Sequence, residues 1–308
     1  MRRILFVKTS SLGDVVHHAP AVSDAARALP AAEIHWVVEE PFADVARLHR
    51  AVKRVFPVAM RRWRRSLWSP SVWSEIARFR ATLGEQPYDA VVDTQGLLKS
   101  ALVCAAARGT KHGLDRASAR EPLAATFYDV RHAVPKNLHA VERNRRLTAA
   151  ALGYPYGGAL DYGLRASGES PASGAYGVFL TMTSRDDKLW PEARWIELGL
   201  ALGIQVVLPW GSELERARSE RIAQKIPGAT VPPRMTVAQL SGLFQSAQLV
   251  VGVDTGLTHL AAALGVRTVG IYCGSEPRLT GLHGGKEVVN VGSTGNAPSV
   301  ADVRKALQ

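Results

Sequence analysis

Two cysteines in 308 residues, Cys104 and Cys273, are too few for a disulfide framework. Neither belongs to a CxxC pair of the kind that holds zinc. That usage suits a reducing compartment. No stretch approaches the ~20 consecutive apolar residues of a membrane-spanning helix. The basic start, Met1-Arg2-Arg3, leads into a short apolar run that Lys8 and Asp14 interrupt, so no secretory signal is expected. The expectation is a cytoplasmic protein that touches a membrane without crossing it. The dinucleotide pattern G-x-G-x-x-G and the P-loop pattern G-x-x-x-x-G-K-[ST] are both missing, which removes the main support for NAD and P-loop chemistry. No DxD-type metal motif stands in the second half, since Asp186-Asp187 adjoins Lys188. No metal and no tightly bound cofactor are expected.

What is present is an ordinary globular balance, 46% hydrophobic and 21% charged. The length exceeds that of one hydrophobic core, so two domains are expected. The formal charge is +11, which predicts attraction to polyanions. Nucleic acid, an anionic membrane and a phosphorylated substrate all satisfy that charge.

Continuous apolar runs at residues 4–7, 34–38, 52–58 and 90–92 read as buried strands. Helical periodicity separates them at 14–29, 71–83 and 97–107. Glycine, proline and serine then crowd residues 153–174 (Gly153, Pro155, Gly157, Gly158, Ser167, Gly168, Ser170, Pro171, Ser173, Gly174), a linker composition. The alternation restarts with strands at 178–181, 205–208, 249–253 and 268–272. Helices are expected at 191–202, 213–225, 237–246, 255–264 and 299–307. Strand, helix and strand in alternation imply parallel, doubly wound sheets, one per half. Ligands of such sheets bind beyond the carboxyl ends of the strands, so two such domains facing each other are expected to form a cleft.

Three loops of the second half fall there. Asp254-Thr255-Gly256 turns from a strand into a helix, and the unpaired N–H groups of that helix start suit a diphosphate. His259 follows within the first turn. Thr183, Ser184 and Lys188 share one loop, where hydroxyls and an ammonium can offset phosphate charge. Glu215, at the start of another helix, can accept hydrogen bonds from ribose hydroxyls. Plainer readings of the same residues are a helix cap, a solvated loop and a carboxylate serving a helix dipole.

In the first half, Lys8-Thr9-Ser10-Ser11-Leu12-Gly13-Asp14 joins a strand to a helix. Asp14 is either a capping residue or a general base kept ionised at a helix N-terminus. His17 or His18 could neighbour it. Arg61-Arg62-Trp63-Arg64-Arg65, with Trp68 and Trp73, suits nucleic acid, anionic lipid or a polyanionic sugar. Arg116, Arg120 and the stretch 139–146 add further basic residues. No RNA-stacking module or recognition helix accompanies them, so nucleic acid is not the expected partner.

Taken together and in order, four segments resemble the heptosyltransferases, glycosyltransferase family 9. They are Lys8 to Asp14, Asp93-Thr94-Gln95-Gly96-Leu97-Leu98-Lys99-Ser100, Arg185-Asp186-Asp187-Lys188 with Trp190-Pro191, and Val253-Asp254-Thr255-Gly256-Leu257-Thr258-His259-Leu260. The resemblance covers nearly the whole chain. It implies an α/β protein of GT-B architecture, two facing Rossmann-like domains with parallel sheets. Residues 1–165 would bind the acceptor and residues 166–297 the donor, with 298–308 packing back on the first domain. It implies an ADP-heptose donor, a Kdo-lipid A acceptor, inversion at the anomeric carbon, and a monomer at the cytoplasmic face of the inner membrane. It maps catalysis onto Asp14 and Lys188. Donor contacts fall on Thr183, Ser184, Lys188, Glu215, Met235, Asp254, Thr255, Gly256 and His259. Acceptor contacts fall on Ser11, Gly13, Arg61, Arg64, Arg65, Gln95 and Arg120. Heptosyltransferase II or another nucleotide-sugar transferase of the same fold, a nucleotide-sugar epimerase and a basic nucleic-acid-binding protein are the alternatives.

Overall fold

Every strand expected from a continuous apolar run is present, and every strand pair of both sheets is parallel. The computed structural model describes residues 2–169, 174–285 and 287–308. Ser170, Pro171 and Ser173 of the linker composition lie outside the described residues. The chain divides into two compact units, Met1–Gly163 and Leu164–Gln308, with the boundary inside the glycine-rich stretch.

The first unit is a six-stranded sheet of β1 (Arg3–Val7), β2 (Glu33–Glu39), β3 (Val52–Val58), β4 (Pro87–Asp93), β5 (Arg108–Leu114) and β6 (Val130–His132), in the order β3-β2-β1-β4-β5-β6. Its helices are α1 (Leu12–Ala28), α2 (Ala43–Arg47), α3 (Met60–Trp63), α4 (Pro70–Gly84), α5 (Leu98–Ala106) and α6 (Ala140–Leu152). Ile4 to Val7 are fully buried because helices cover both faces of a parallel sheet. Leu5, Val7, Val37, Val91 and Tyr88 share one core with Ala101 and Cys104 of α5. α1 begins at Leu12, two residues before the expected start, with Ser11 as its N-cap.

β5, β6 and α6 are not foreshadowed by apolar runs. β5 and β6 lie toward the edge of the sheet, where little apolar surface is required, and β5 reads Arg-Gly-Thr-Lys-His-Gly-Leu. α6 hides its pattern differently, because the buried Asn144 and Arg145 occupy positions on its inner face.

The second unit is a five-stranded sheet of β7 (Tyr176–Leu180), β8 (Gln205–Val207), β9 (Leu249–Val253), β10 (Thr268–Tyr272) and β11 (Val288–Gly292), in the order β11-β10-β9-β7-β8. Its helices are α7 (Glu192–Leu202), α8 (Glu213–Ala223), α9 (Val237–Gln245), α10 (Gly256–Ala263), α11 (Pro277–Thr280) and α12 (Val300–Ala306). The expectation that residues 298–308 return to the first domain is corrected. Val300, Val303 and Leu307 join Trp190, Trp195 and Leu198 in the core of the second unit. The Pro298 carbonyl accepts hydrogen bonds from Trp190 Nε1 and Arg194 Nη1, both at 2.9 Å. One buried and one half-buried donor and an apolar helix face tie the C-terminus to α7 and the residue leading into it.

In each sheet the strand order reverses once, between β1 and β4 and between β7 and β9. Register then brings loops together, since Val7 pairs with Asp93 and Leu180 pairs with Gly252. The conserved geometry of such switch points opens a crevice at the carboxyl ends. Three of the four segments that carry the family resemblance start at or next to these ends, and the fourth, from Arg185, follows in the loop after β7.

Val303 is fully buried, so Val303→Ala is expected to cost about 2 kcal/mol through lost burial and a residual void. Thermal unfolding of the whole chain should show a melting point lower by a few degrees. An unchanged melting point would mean that α12 contributes nothing to the second unit's core.

Candidate active site

The structure presents two half-sites, one at the switch point of each unit. In the first, the residues after β1 form a loop held from behind by β4. Gln95 is only 2% exposed, and both ends of its amide bond that loop. Its Oε1 accepts from Thr9 N at 2.8 Å and Ser10 N at 3.2 Å, and its Nε2 donates to the Ser10 carbonyl. Gln95 is thus a staple for residues 9–10. Asp93 supports the staple, because its Oδ1 accepts from Gln95 N at 2.8 Å and its Oδ2 from Tyr128 OH at 2.8 Å. Burial pushes the Asp93 carboxyl up in pKa, against those hydrogen bonds.

The stapled loop delivers Asp14 in the first turn of α1. Its Oδ2 accepts from Ser11 N at 2.9 Å and lies 3.5 Å from Arg120 Nη1. Asp14 is therefore not the N-cap but the third helical residue, tied back to the N-cap backbone. The ion pair is formed with Arg120, and His18 turns instead to Thr94 Oγ1 at 3.1 Å, packed between Phe6 and Trp36. Ser11 is exposed and Gly13 half-buried beside it.

Beneath this carboxylate lies a buried cation that sequence reasoning quoted but did not assign. Lys8 Nζ donates to the Thr94 carbonyl at 3.0 Å and to Asn144 Oδ1 at 3.3 Å. Burial lowers its pKa, while the negative charge of Asp14 opposes that shift. Lys99 donates to Ser10 Oγ at 2.7 Å. Burial lowers its pKa too, Glu39 and Asp14 favour its charge, and Arg61 and Arg64 repel it. Around Asp14, Lys8 thus feels the charges of Arg120 and Arg143, and Lys99 those of Arg61 and Arg64. Arg61 and Arg64 belong to the site's field, whereas Arg65 is exposed beyond them and Arg62 is neutralised by Glu40 and Glu75. Glu39, at the end of β2, accepts from Arg61 N at 2.8 Å. Its position at a strand end was the available signal for it.

The second half-site centres on Asp254. Its Oδ2 accepts from Lys188 Nζ and from Ser275 Oγ, both at 2.6 Å, and its Oδ1 from His259 Nε2 at 3.2 Å. Thr183 Oγ1 donates to its backbone carbonyl at 3.0 Å. Four predicted residues, Thr183, Lys188, Asp254 and His259, therefore form one network. Ser275 was missed, although it follows β10 as the others follow β7 and β9. Thr255 is the N-cap of α10 but its side chain caps none of that helix's N–H groups. The first N–H groups of such a helix have no intrahelical partner. Gly252 permits this packing, because a Cβ there would lie 2.1 Å from Thr258 Oγ1 and 3.0 Å from Leu180 Cβ.

The remaining predicted residues lie on neighbouring loops. Ser184 is exposed next to Thr183. Glu215 Oε2 accepts from Gly211 N at 2.7 Å, which shapes the loop after β8. Met235 is half-buried just before α9, whose N-cap is Thr236. Among the described residues no group of three or more His, Cys, Asp or Glu could hold a metal ion. Chemically, the first half-site offers a carboxylate in a cationic field. The second offers hydroxyls, an ammonium and a helix start, which suit a diphosphate.

Known proteins resemble this chain along nearly its whole length. The family model described as glycosyltransferase family 9 (heptosyltransferase) matches residues 76–307. The lipopolysaccharide heptosyltransferase 1 of Salmonella typhimurium is 46% identical over 290 residues, which is 92% of each chain. The solved Escherichia coli heptosyltransferase WaaC with ADP superposes with a TM-score of 0.92 at 42% identity, covering 99% of this chain and 98% of that one. The same enzyme with ADP-2-deoxy-2-fluoro heptose gives a TM-score of 0.89 at 41% identity, over 99% and 98%.

Two substitutions probe the half-sites. Gln95→Ala leaves the buried N–H groups of Thr9 and Ser10 without their acceptor and should cost about 1–3 kcal/mol, read as a lower melting point. In Asp254, burial raises the carboxyl pKa, but the hydrogen bonds from His259, Lys188 and Ser275 outweigh it and hold the group well below the usual range. A depressed folded value contributes stability that is complete above about pH 4, where the unfolded aspartate ionises, and is lost as pH falls further. Asp254→Asn should therefore flatten the dependence of melting temperature on pH below about pH 4. An acid limb as steep as that of the wild type would disconnect the network from stability.

Proposed function

The chain belongs to glycosyltransferase family 9, the heptosyltransferases, and we propose that it transfers heptose from ADP-heptose to a Kdo hydroxyl of Kdo-lipid A. In this reading the second unit binds the donor and the first binds the acceptor and supplies the base. The protein would work as a monomer on the cytoplasmic face of the inner membrane. The observation that carries the reading is the Asp254 network beside an uncapped helix start, in a fold whose solved relative is described with ADP.

The donor's diphosphate would lie against the Gly256 end of α10, with Thr183, Ser184 and Thr255 as hydroxyl partners. Lys188, whose ammonium donates to Asp254, stands at that end, and His259 faces the same carboxylate. Glu215 and Met235 line the neighbouring loops, where a nucleoside would extend. The acceptor's negative groups would engage Arg120, Arg61, Arg64 and Arg65, with Ser11 and Gly13 next to the reacting hydroxyl.

In the transfer, the Kdo hydroxyl oxygen attacks the anomeric carbon of the heptose and forms the new C–O bond. Its proton passes to the Asp14 carboxylate. The bond from the anomeric carbon to the diphosphate oxygen breaks, and the electron pair leaves with ADP. One displacement from the opposite face inverts the anomeric configuration. The α10 start and Lys188 stabilise the charge that develops on the leaving diphosphate. Asp14 needs a fixed direction to act as a base, and the hydrogen bond from Ser11 N supplies it.

Incubation with ADP-heptose and Kdo-lipid A, followed by mass spectrometry of the acceptor, should show one added heptose per acceptor. No addition to this acceptor, or turnover of the donor without any acceptor, would sink the assignment. Asp14→Asn should lower kcat by about 10²–10⁴-fold while leaving the Kd for ADP-heptose within about twofold of wild type. Near-normal turnover by that variant would remove Asp14 from the base role.

A further inference from the structure

The segment between α3 and α4 exposes a set of large apolar side chains that nothing in the reaction uses. Trp68 is 82% exposed, Trp73 57% and Leu67 45%. Isolated exposed apolar residues need no explanation, but two indoles and a leucine within seven positions do. The three side chains do not hang on a loose tether. Trp73 Nε1 donates to the Leu67 carbonyl at 2.7 Å, which closes the turn from 67 to 73. Ser69 N donates to the Ser66 carbonyl at 3.0 Å, and Pro70 sets the first turn of α4. The result is a preformed apolar ridge.

The charge beside the ridge that enters no ion pair is positive. Arg64 and Arg65 are exposed, and neither forms an ion pair among the described residues. Arg64 also repels the Lys99 ammonium, so the basic end of this segment reaches the field of Asp14. The apolar ridge begins three residues later. Arg62, by contrast, is neutralised by Glu40 and Glu75 on the other side of α3. Indoles with adjacent guanidinium groups are what a bilayer interface selects, since the rings settle at headgroup depth and the cations meet anionic lipid. Among the described residues no helix is long and apolar enough to cross a membrane, so contact through such a ridge would be peripheral.

We propose that Leu67, Trp68 and Trp73, with Arg64 and Arg65, form a ridge that seats the first unit on an anionic phospholipid surface. The idea rests on the reading of the acceptor as a membrane lipid and adds the place of contact. One short segment then has two ends, with Arg61 and Arg64 facing the acceptor's charges and the indoles entering the headgroup layer. The lipid-borne acceptor is met at the surface where it resides, without being drawn out of it.

The test compares wild type with Leu67→Ser/Trp68→Ser, both exposed positions whose replacement removes no buried contact. Sedimentation is measured with vesicles of phosphatidylethanolamine and phosphatidylglycerol, and with vesicles of phosphatidylcholine alone. Wild type should partition onto the anionic vesicles and lose that binding as salt rises. The double variant should bind at least ~10-fold more weakly at equal melting temperature. Lipids brominated in the acyl chain near the headgroup should quench wild-type tryptophan fluorescence more than that of the variant. Transfer to a water-soluble Kdo acceptor lacking acyl chains should be equal in both proteins. Equal vesicle binding by the two proteins would overturn the proposal. So would a wild type that self-associates through this ridge without binding vesicles. Failure of heptose transfer in every form would instead strike the proposed reaction, because vesicle binding is read without it.

Discussion

Parallel strands must all end at the same edge of their sheet, and the candidate site depends on that constraint. A loop leaving β1 can only meet the loop leaving β4 because Val7 and Asp93 are register partners. A loop leaving β7 can only meet that leaving β9 because Leu180 and Gly252 are partners. Segments 85 or more residues apart in sequence, such as Ser10 and Gln95, are thereby brought into hydrogen-bond contact. The chemistry-bearing residues need no further device to converge. Within each unit they need only occupy the end of a strand or the first few positions after it, as Lys8, Glu39 and Thr94 do in the first and Thr183, Asp254 and Ser275 in the second.

The two half-sites solve opposite electrostatic problems with this edge. Around Asp14 the cations outnumber the carboxylates, and burial makes two of them, Lys8 and Lys99, easier to deprotonate than free lysines. Such a field is costly in an empty protein and is offset by an anionic ligand. Around Asp254 the balance is closer, and one carboxylate takes hydrogen bonds from a lysine, a serine and a histidine. That arrangement fixes directions and leaves the helix start as the principal unpaired attraction for an anion. A surplus of positive charge therefore lies where a polyanionic acceptor is proposed, and a rigid frame lies where a diphosphate is proposed.

The sequence was most legible where one physical cause dominated. Continuous apolar runs such as residues 249–253 follow from burial on both faces, and they predict β9 to the residue. Strand-turn-helix order placed Thr183, Lys188, Asp254 and His259 in one region, and the network confirms that they meet. Legibility failed where two causes competed. β5 and β6 gain their place from pairing at the edge of the sheet rather than from apolar content. α12 carries an ordinary amphipathic pattern that says nothing of its partner, which shows only where Val300 and Val303 join the core of the second unit. The stapling role of Gln95 was hidden for a related reason. A polar side chain next to a site looks the same in sequence whether its amide faces a ligand or holds a loop.

That distinction changes how Asp14 itself is understood. Its Oδ2 takes a local attachment, from the Ser11 N–H at 2.9 Å and the Ser11 hydroxyl at 3.4 Å, and an ion pair, with the Arg120 guanidinium at 3.5 Å. The first belongs to the fold, since it fastens the start of α1 and does not depend on a ligand. The second is looser and more exposed, and a ligand with its own negative groups competes for it. A carboxylate held only by Arg120 would lose its direction whenever that arginine turned to a ligand. A carboxylate held only by the helix would have no charge partner in the empty protein. With both, the direction persists when the partner changes. A fixed helix contact and an exchangeable ion pair on one oxygen are what a base needs to stay aimed while its surroundings become occupied.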